Sequence, residues 1–79
     1  MSGPRLLSML QIGELAKVKR VHGRGPTHRR LLELGLIAEA IVRLVRLAPL
    51  GDPIEIELHG YHLSLRKAEA ALVELEERL

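Results

Sequence analysis

The chain has no cysteine, no phenylalanine and no tryptophan, and Tyr61 is its one aromatic residue. Without cysteine, neither a disulfide nor a thiolate metal cage can supplement the core, and the composition suits a reducing cytosol. Without large aromatics, the core must be built from Leu, Ile, Val and Ala, which are plentiful in a chain 47% hydrophobic. Long apolar runs are missing too: none approaches the roughly 20 residues needed to span a bilayer. Arg5 to Leu10 has the look of the start of a secretory signal. Its apolar part is too short, however, Gln11 and Glu14 follow at once, and no small-residue cleavage site appears. The expectation is a soluble, cytoplasmic protein that is not itself embedded in a membrane.

At 79 residues the chain holds one domain, and a chain of this size buries only about 60% of its unfolded surface. Such a core leaves no room for a large substrate cavity. Residues 1–6 read as a loose N-terminus and 7–79 as a single domain. The net charge of +2 is small but uneven. Basic residues gather from Lys17 to Arg30, and Glu69, Glu74, Glu76 and Glu77 make the C-terminal end acidic.

The clearest element runs from Pro53 to Arg66. Ile54, Ile56 and Leu58 alternate with Glu55 and Glu57, the period of two of a half-buried strand. The alternation resumes after His59-Gly60 as Tyr61, Leu63 and Leu65 against His62 and Ser64. A two-residue turn at His59-Gly60 sets Leu58 opposite Tyr61, Ile56 opposite Leu63 and Ile54 opposite Leu65, with Glu57 opposite His62 on the other face. A slip of one residue would break every apolar pair. Such a turn requires φ > 0 at both central residues, which Gly60 meets freely and His59 tolerably.

Upstream, Ala40 to Leu47 reads as a strand with Val42 and Leu44 inward and Arg43 outward. Ala48 to Pro53 reads as a loop, and Lys17 to His22 as an earlier strand with Val18 inside. A short strand near Leu72–Glu76, preceded by a helical turn at Lys67–Ala70, is preferred to a continuous helix from Lys67 to Leu79. One helix is well marked, at about 27–35. Thr27 is its N-cap after Pro26, Leu31 and Leu34 share its buried face, and Gly35 with Leu36 closes it. That placement puts Arg29 and Arg30 in the first turn, where the helix dipole disfavours cations. Solubility or a carboxylate partner would explain them.

From Leu7 onward the chain resembles the FeoA family, the small cytosolic component of bacterial ferrous-iron uptake. The residues that carry this are Leu7-Ser8-x-Leu10-x-x-Gly13-Glu14, Arg29-Arg30-Leu31-Leu32-Glu33-Leu34-Gly35-Leu36, and Ala48-Pro49-Leu50-Gly51-Asp52-Pro53-Ile54-Glu55-Ile56. Gly60-Tyr61, Leu63-Ser64-Leu65-Arg66 and Glu69-Ala70 complete the pattern. The resemblance implies a mainly β fold, an SH3-like small β-barrel with a short α-helix inserted between its first two strands. It also implies partnership with a FeoB-like membrane transporter, on its cytosolic face. The chain departs from the family at Gln11-Ile12, where Lys-Pro is usual, and at Ala38-Glu39, where Pro-Gly is usual. The lost glycine puts the turn at Glu39 in question and predicts a cost in stability. The same barrel forms the C-terminal domain of iron-dependent repressors, which gives an alternative reading as an interaction domain of that kind.

No catalytic constellation is present. Ser64 and His62 share a strand face with no orienting third group, and there is no nucleophile elbow or phosphate loop. No cofactor is expected. The metal candidates are weak surface ones, His62 with Glu57 and, beside them, His59. Two ligands on an open face hold a cation poorly, and a solvated Glu–His pair is the better reading. Lys17, Lys19, Arg20, Arg24, Arg29 and Arg30 could meet phosphates as a weak nucleic-acid-binding module. Stacking aromatics are missing and the acidic tail opposes it, so no stable nucleic-acid complex is expected.

Protein binding remains. The candidate surface lies between the helix and the Pro49–Pro53 loop, with Leu50 and Leu36 as apolar contacts and Arg29, Arg30 and Asp52 as charged ones. Leu50 either plugs the barrel end or meets a partner; two prolines would hold it out at low entropic cost. An exposed edge strand also leaves pairing with a second copy as an alternative, and with it a homo-oligomer.

Overall fold

A computed structural model describes residues 3–77 of the chain. Six strands form one antiparallel sheet: β1 (Arg5–Leu6), β2 (Leu15–Val21), β3 (Ile41–Leu47), β4 (Ile54–Leu58), β5 (Tyr61–Leu65) and β6 (Val73–Leu75). Their order across the sheet is β1-β6-β2-β3-β4-β5. Helix α1 (Gly25–Glu33) is inserted between β2 and β3, and the single turn α2 (Lys67–Ala70) joins β5 to β6. The sheet wraps one aliphatic core in the SH3-like manner expected. Val18, Val42, Leu44, Ile56, Leu58, Leu65, Val73 and Leu75 come from the strands and Leu31 from α1. Among the described residues the core holds no buried polar or charged side chain.

The β4–β5 hairpin has the expected register, with Leu58 opposite Tyr61, Ile56 opposite Leu63, Ile54 opposite Leu65 and Glu57 opposite His62. His59 and Gly60 take φ of 54° and 84°, the left-handed conformations of a tight hairpin turn. β6 follows α2 as a separate strand, with Val73 and Leu75 buried and Glu74 between them turned outward. The alternative of a continuous helix from Lys67 to Leu79 is thereby excluded over its described part; Arg78 and Leu79 lie outside the described residues.

The N-terminal segment expected to be loose, residues 1–6, is partly structured. Met1 and Ser2 lie outside the described residues, but Arg5 and Leu6 form β1 against Leu75 and Glu74 of β6. A 3₁₀ turn at Leu7–Met9 then drives Leu7 fully into the core. The strand expected from Lys17 begins at Leu15, because Leu15 and Ala16 also pair with Arg43 and Val42 of β3.

Helix α1 starts two residues before the expected Thr27. Its N-cap is Arg24, and Pro26 lies within the first turn rather than ahead of it. A proline is at ease there, since its fixed φ suits a helix and its missing N–H would have no intrahelical acceptor. Arg29 and Arg30 therefore leave the first turn, and Arg30 falls in the last, where the dipole favours a cation. The C-terminus closes as expected on Gly35, at φ 106°. The Leu36 N–H donates to Leu31 O at 3.2 Å and the Gly35 N–H to Leu32 O at 3.0 Å, the paired bonds of a Schellman motif.

Candidate functional site

The hairpin, the loop that feeds it and the two helices meet around one cleft. Arg30 reaches it from α1, Asp52 and Pro53 from the loop, Ser64 and Leu65 from β5, and Arg66 and Glu69 from the α2 turn, enclosing ~500 Å³. The carboxylates here organise backbone. Asp52 Oδ1 accepts the Lys67 N–H at 2.9 Å, and Glu69 Oε1 accepts the Arg66 N–H at 2.9 Å. Both N–H groups belong to the start of α2, where a helix has no internal acceptors to offer. Glu69 also forms an ion pair with Arg30, which ties α1 to α2. The carboxylate partner sought for the helix arginines is thus found for Arg30, within the same molecule. Arg29 makes no ion pair among the described residues.

The loop itself turns outward. Leu50 is 96% exposed, the most exposed large aliphatic of the described chain, so it does not plug the barrel end. Leu36, expected as an apolar contact beside it, is fully buried. The Schellman closure explains the correction, since it folds Leu36 back over Leu31 and into the core. Of the candidate contacts, Arg30 and Asp52 line the cleft together, Leu50 stands exposed on the loop, and Leu36 is excluded from the surface.

The outer hairpin face carries the other candidates. His62 stands opposite Glu57, as expected, but its Nδ1 meets Glu55 Oε2 at 2.9 Å on the diagonal. Diagonal neighbours across a ladder remain within reach of long side chains. Arg46 bonds the other Glu55 oxygen, with Nε at 3.1 Å. Chiefly through Arg46, and then through His62, the Glu55 carboxyl titrates below its ordinary value. His59 lies apart: its ring sits over the α1 exit, where a Cβ at Gly35 would meet His59 Cδ2 at 3.2 Å. Among the described residues, no three His, Cys, Asp or Glu side chains converge as metal ligands would.

Towards the other side of the sheet, Glu74 on β6 gathers Lys19 and Arg20 of β2 and His22 just beyond it. Its carboxylate lies 2.7 Å from His22 Nε2, 3.5 Å from Lys19 Nζ and 3.6 Å from Arg20 Nε. The His22 hydrogen bond, followed by the charges of Lys19 and Arg20, holds Glu74 below its ordinary pKa. Two of the basic side chains proposed to meet phosphates, Lys19 and Arg20, thus share one internal acid, and Lys17 pairs with Glu39 at 3.5 Å.

The family model of the FeoA domain matches residues 5–77. The chain belongs to the FeoA family. It is 40% identical over 70 residues to the Fe(2+) transport protein A/Fe(2+) transporter FeoB fusion protein of Porphyromonas gingivalis, covering 89% of this chain and 8% of that one. The chain therefore spans under a tenth of the length of that relative. Among solved structures, FeoA of Chlorobium tepidum superposes with a TM-score of 0.82 at 39% identity, covering 90% of this chain and 68% of that one. A zinc-complexed FeoA of Stenotrophomonas maltophilia, described as a prokaryotic SH3 domain protein, superposes at 0.80 with 32% identity, over 92% and 95% of the two chains.

Against the FeoA pattern, the turn at Ala38-Glu39 keeps its backbone without the glycine. Glu39 itself adopts φ 79°. Its N–H donates to Val18 O, and the Val18 N–H donates to Ala40 O, each at 2.8 Å. Two bonds to β2 hold the turn in a conformation that an L-residue resists. Three cleft residues, Ser64, Arg66 and Glu69, were not singled out as site residues on sequence grounds. Their signal was present, since all three lie within segments that carry the FeoA resemblance. Only the tertiary structure brings them to Asp52 and Arg30.

Proposed function

We propose that this chain is a non-enzymatic accessory module of ferrous-iron uptake that works in the cytosol by docking on a FeoB-like transporter. The observation that carries this reading is Leu50, an aliphatic side chain held almost wholly in water on a loop between two prolines. Keeping it there has no benefit to the core, and a partner surface would give it one. Arg29 and Arg30 on α1, and Asp52 beside the loop, would frame that contact. The fused FeoA–FeoB relative supports the choice of partner, because fusion keeps two associating modules at high effective concentration. No described helix is long and apolar enough to cross a membrane, which leaves the membrane-spanning part to the partner.

The test is a titration of the full chain against the cytosolic GTP-binding domain of a FeoB transporter. Leu50→Asp is expected to fold normally and to lose binding by about tenfold or more, the equivalent of ~1.4 kcal/mol. Unchanged affinity would overturn the proposed contact.

A further inference from the structure

Of the two guanidiniums that line the cleft beside β5, Arg30 is paired with Glu69 and Arg66 is not. Glu69 is engaged through both oxygens, by the Arg66 N–H and by Arg30, while Asp52 gives Oδ1 to the Lys67 N–H. The Arg66 guanidinium, with its five N–H donors and no capacity to accept, has no carboxylate partner among the described residues and is exposed. Alongside it runs the open edge of the sheet, since β5 pairs only with β4. In a ladder closed by a two-residue turn, the residues flanking the turn exchange both backbone bonds, and every second pair after them does the same. Tyr61, Leu63 and Leu65 therefore bond to β4, while His62 and Ser64 aim their N–H and C=O groups away from it. No other backbone bond among the described residues uses His62 or Ser64. The strand also lacks the usual guards of an open edge: it has no proline, no charged side chain and no bulge against β4.

We infer that this edge and cleft together receive an extended acidic segment of a partner protein, added as a strand to β5 with a carboxylate on Arg66. The inference rests on the protein-docking reading of this face and adds the chemistry of what docks. A basic segment would be repelled by Arg66, and Asp52, whose Oδ1 already takes the Lys67 N–H, would offer it only the remaining oxygen. A second copy of β5 fits less well, because Tyr61–Leu65 carries no acid to bring to Arg66. Backbone bonds to His62 and Ser64 would supply affinity, and the guanidinium–carboxylate pair would supply the sign preference.

The test uses the ¹⁵N-labelled full chain and two short capped peptides of alternating valine and threonine, one ending in paired glutamates and the other in paired lysines. The acidic peptide is expected to shift the His62, Ser64 and Arg66 amides and to slow hydrogen exchange at His62 and Ser64. The basic peptide should bind at least about tenfold more weakly, and Arg66→Glu should reverse the preference. Ser64→Pro should abolish the shifts without lowering the melting temperature, since the Ser64 N–H takes no part in the β4 ladder. Equal affinity for the two peptides, no shift at millimolar peptide, shifts confined to other surfaces, or self-association through β5 in place of peptide binding would each overturn the inference. The two proposals separate in the transporter titration. If Leu50→Asp loses binding while Ser64→Pro and Arg66→Glu keep it, the edge inference falls and the docking reading stands. The opposite pattern removes Leu50 as the contact and leaves the edge.

Discussion

Asp52 in the loop caps the first turn of α2 by accepting the Lys67 N–H at 2.9 Å. One carboxylate therefore fixes the base of the loop that displays Leu50 and orders the turn that places Arg66 and Glu69. The loop and the cleft are mechanically one unit, and a change at Asp52 should be felt at both.

Asp52→Ala is expected to cost about 1 kcal/mol of stability, the usual loss when a helix cap is removed. Asp52→Asn, which keeps the accepting oxygen, should recover most of that. Urea denaturation of the three proteins, compared at constant m-value, measures the difference.

The two leucines expected on the candidate surface should part company. Leu36→Ala removes a fully buried side chain and is expected to cost about 2–5 kcal/mol. Leu50→Asp touches nothing in the core and should move the midpoint of the thermal melt by no more than a typical surface change, within about 0.5 kcal/mol. A large loss for Leu50→Asp would return Leu50 to a structural role.

Glu39→Gly should stabilise the protein, although it removes a side chain and an ion pair. Relief of the left-handed conformation is worth about 1–2 kcal/mol, and the greater freedom of glycine in the unfolded chain takes back about 0.4–1 kcal/mol. The exposed Lys17 pair adds little on the other side. The expected gain is about 0.5–1 kcal/mol in chemical denaturation.

Acid should destabilise the fold through Glu14, Glu55 and Glu74. Each titrates below its ordinary value of 4.5 in the folded chain. For Glu14 the Gln11 N–H is the chief cause, with Arg5 beside it. A carboxyl whose folded pKa is depressed contributes stability above its unfolded pKa and loses it as the pH falls through the folded value. Melting temperatures should thus hold steady down to about pH 4.5 and fall below it. Glu74→Gln should start lower and fall less steeply over that window, and added salt should narrow the gap between the two proteins.

Much of this architecture was determined by sequence. The alternation of Ile54, Ile56 and Leu58 with Glu55 and Glu57, broken once by His59-Gly60, admits one hairpin register, because a slip would expose every apolar side chain. Gly35 similarly marked the end of α1, since few other residues take its φ freely. These are local constraints, written within a few residues. The start of α1 was less legible, as Thr27 and Pro26 each suit more than one position in a first turn.

What only the tertiary structure decided is non-local. β1 is two residues long and has no period to read; it exists because β6, about seventy residues away in sequence, offers it a ladder. Leu36 and Leu50 are the same residue type near similar turn signals, yet one is sealed in the core and the other stands in water. The difference comes from how each turn folds back on its neighbours. His62 chose the diagonal Glu55 over the facing Glu57, and Glu69 met both Arg30 and the Arg66 N–H, through side-chain reach across elements far apart in the chain. Burial and side-chain partnership depend on which surfaces close over one another, and that is settled only when the whole sheet is assembled.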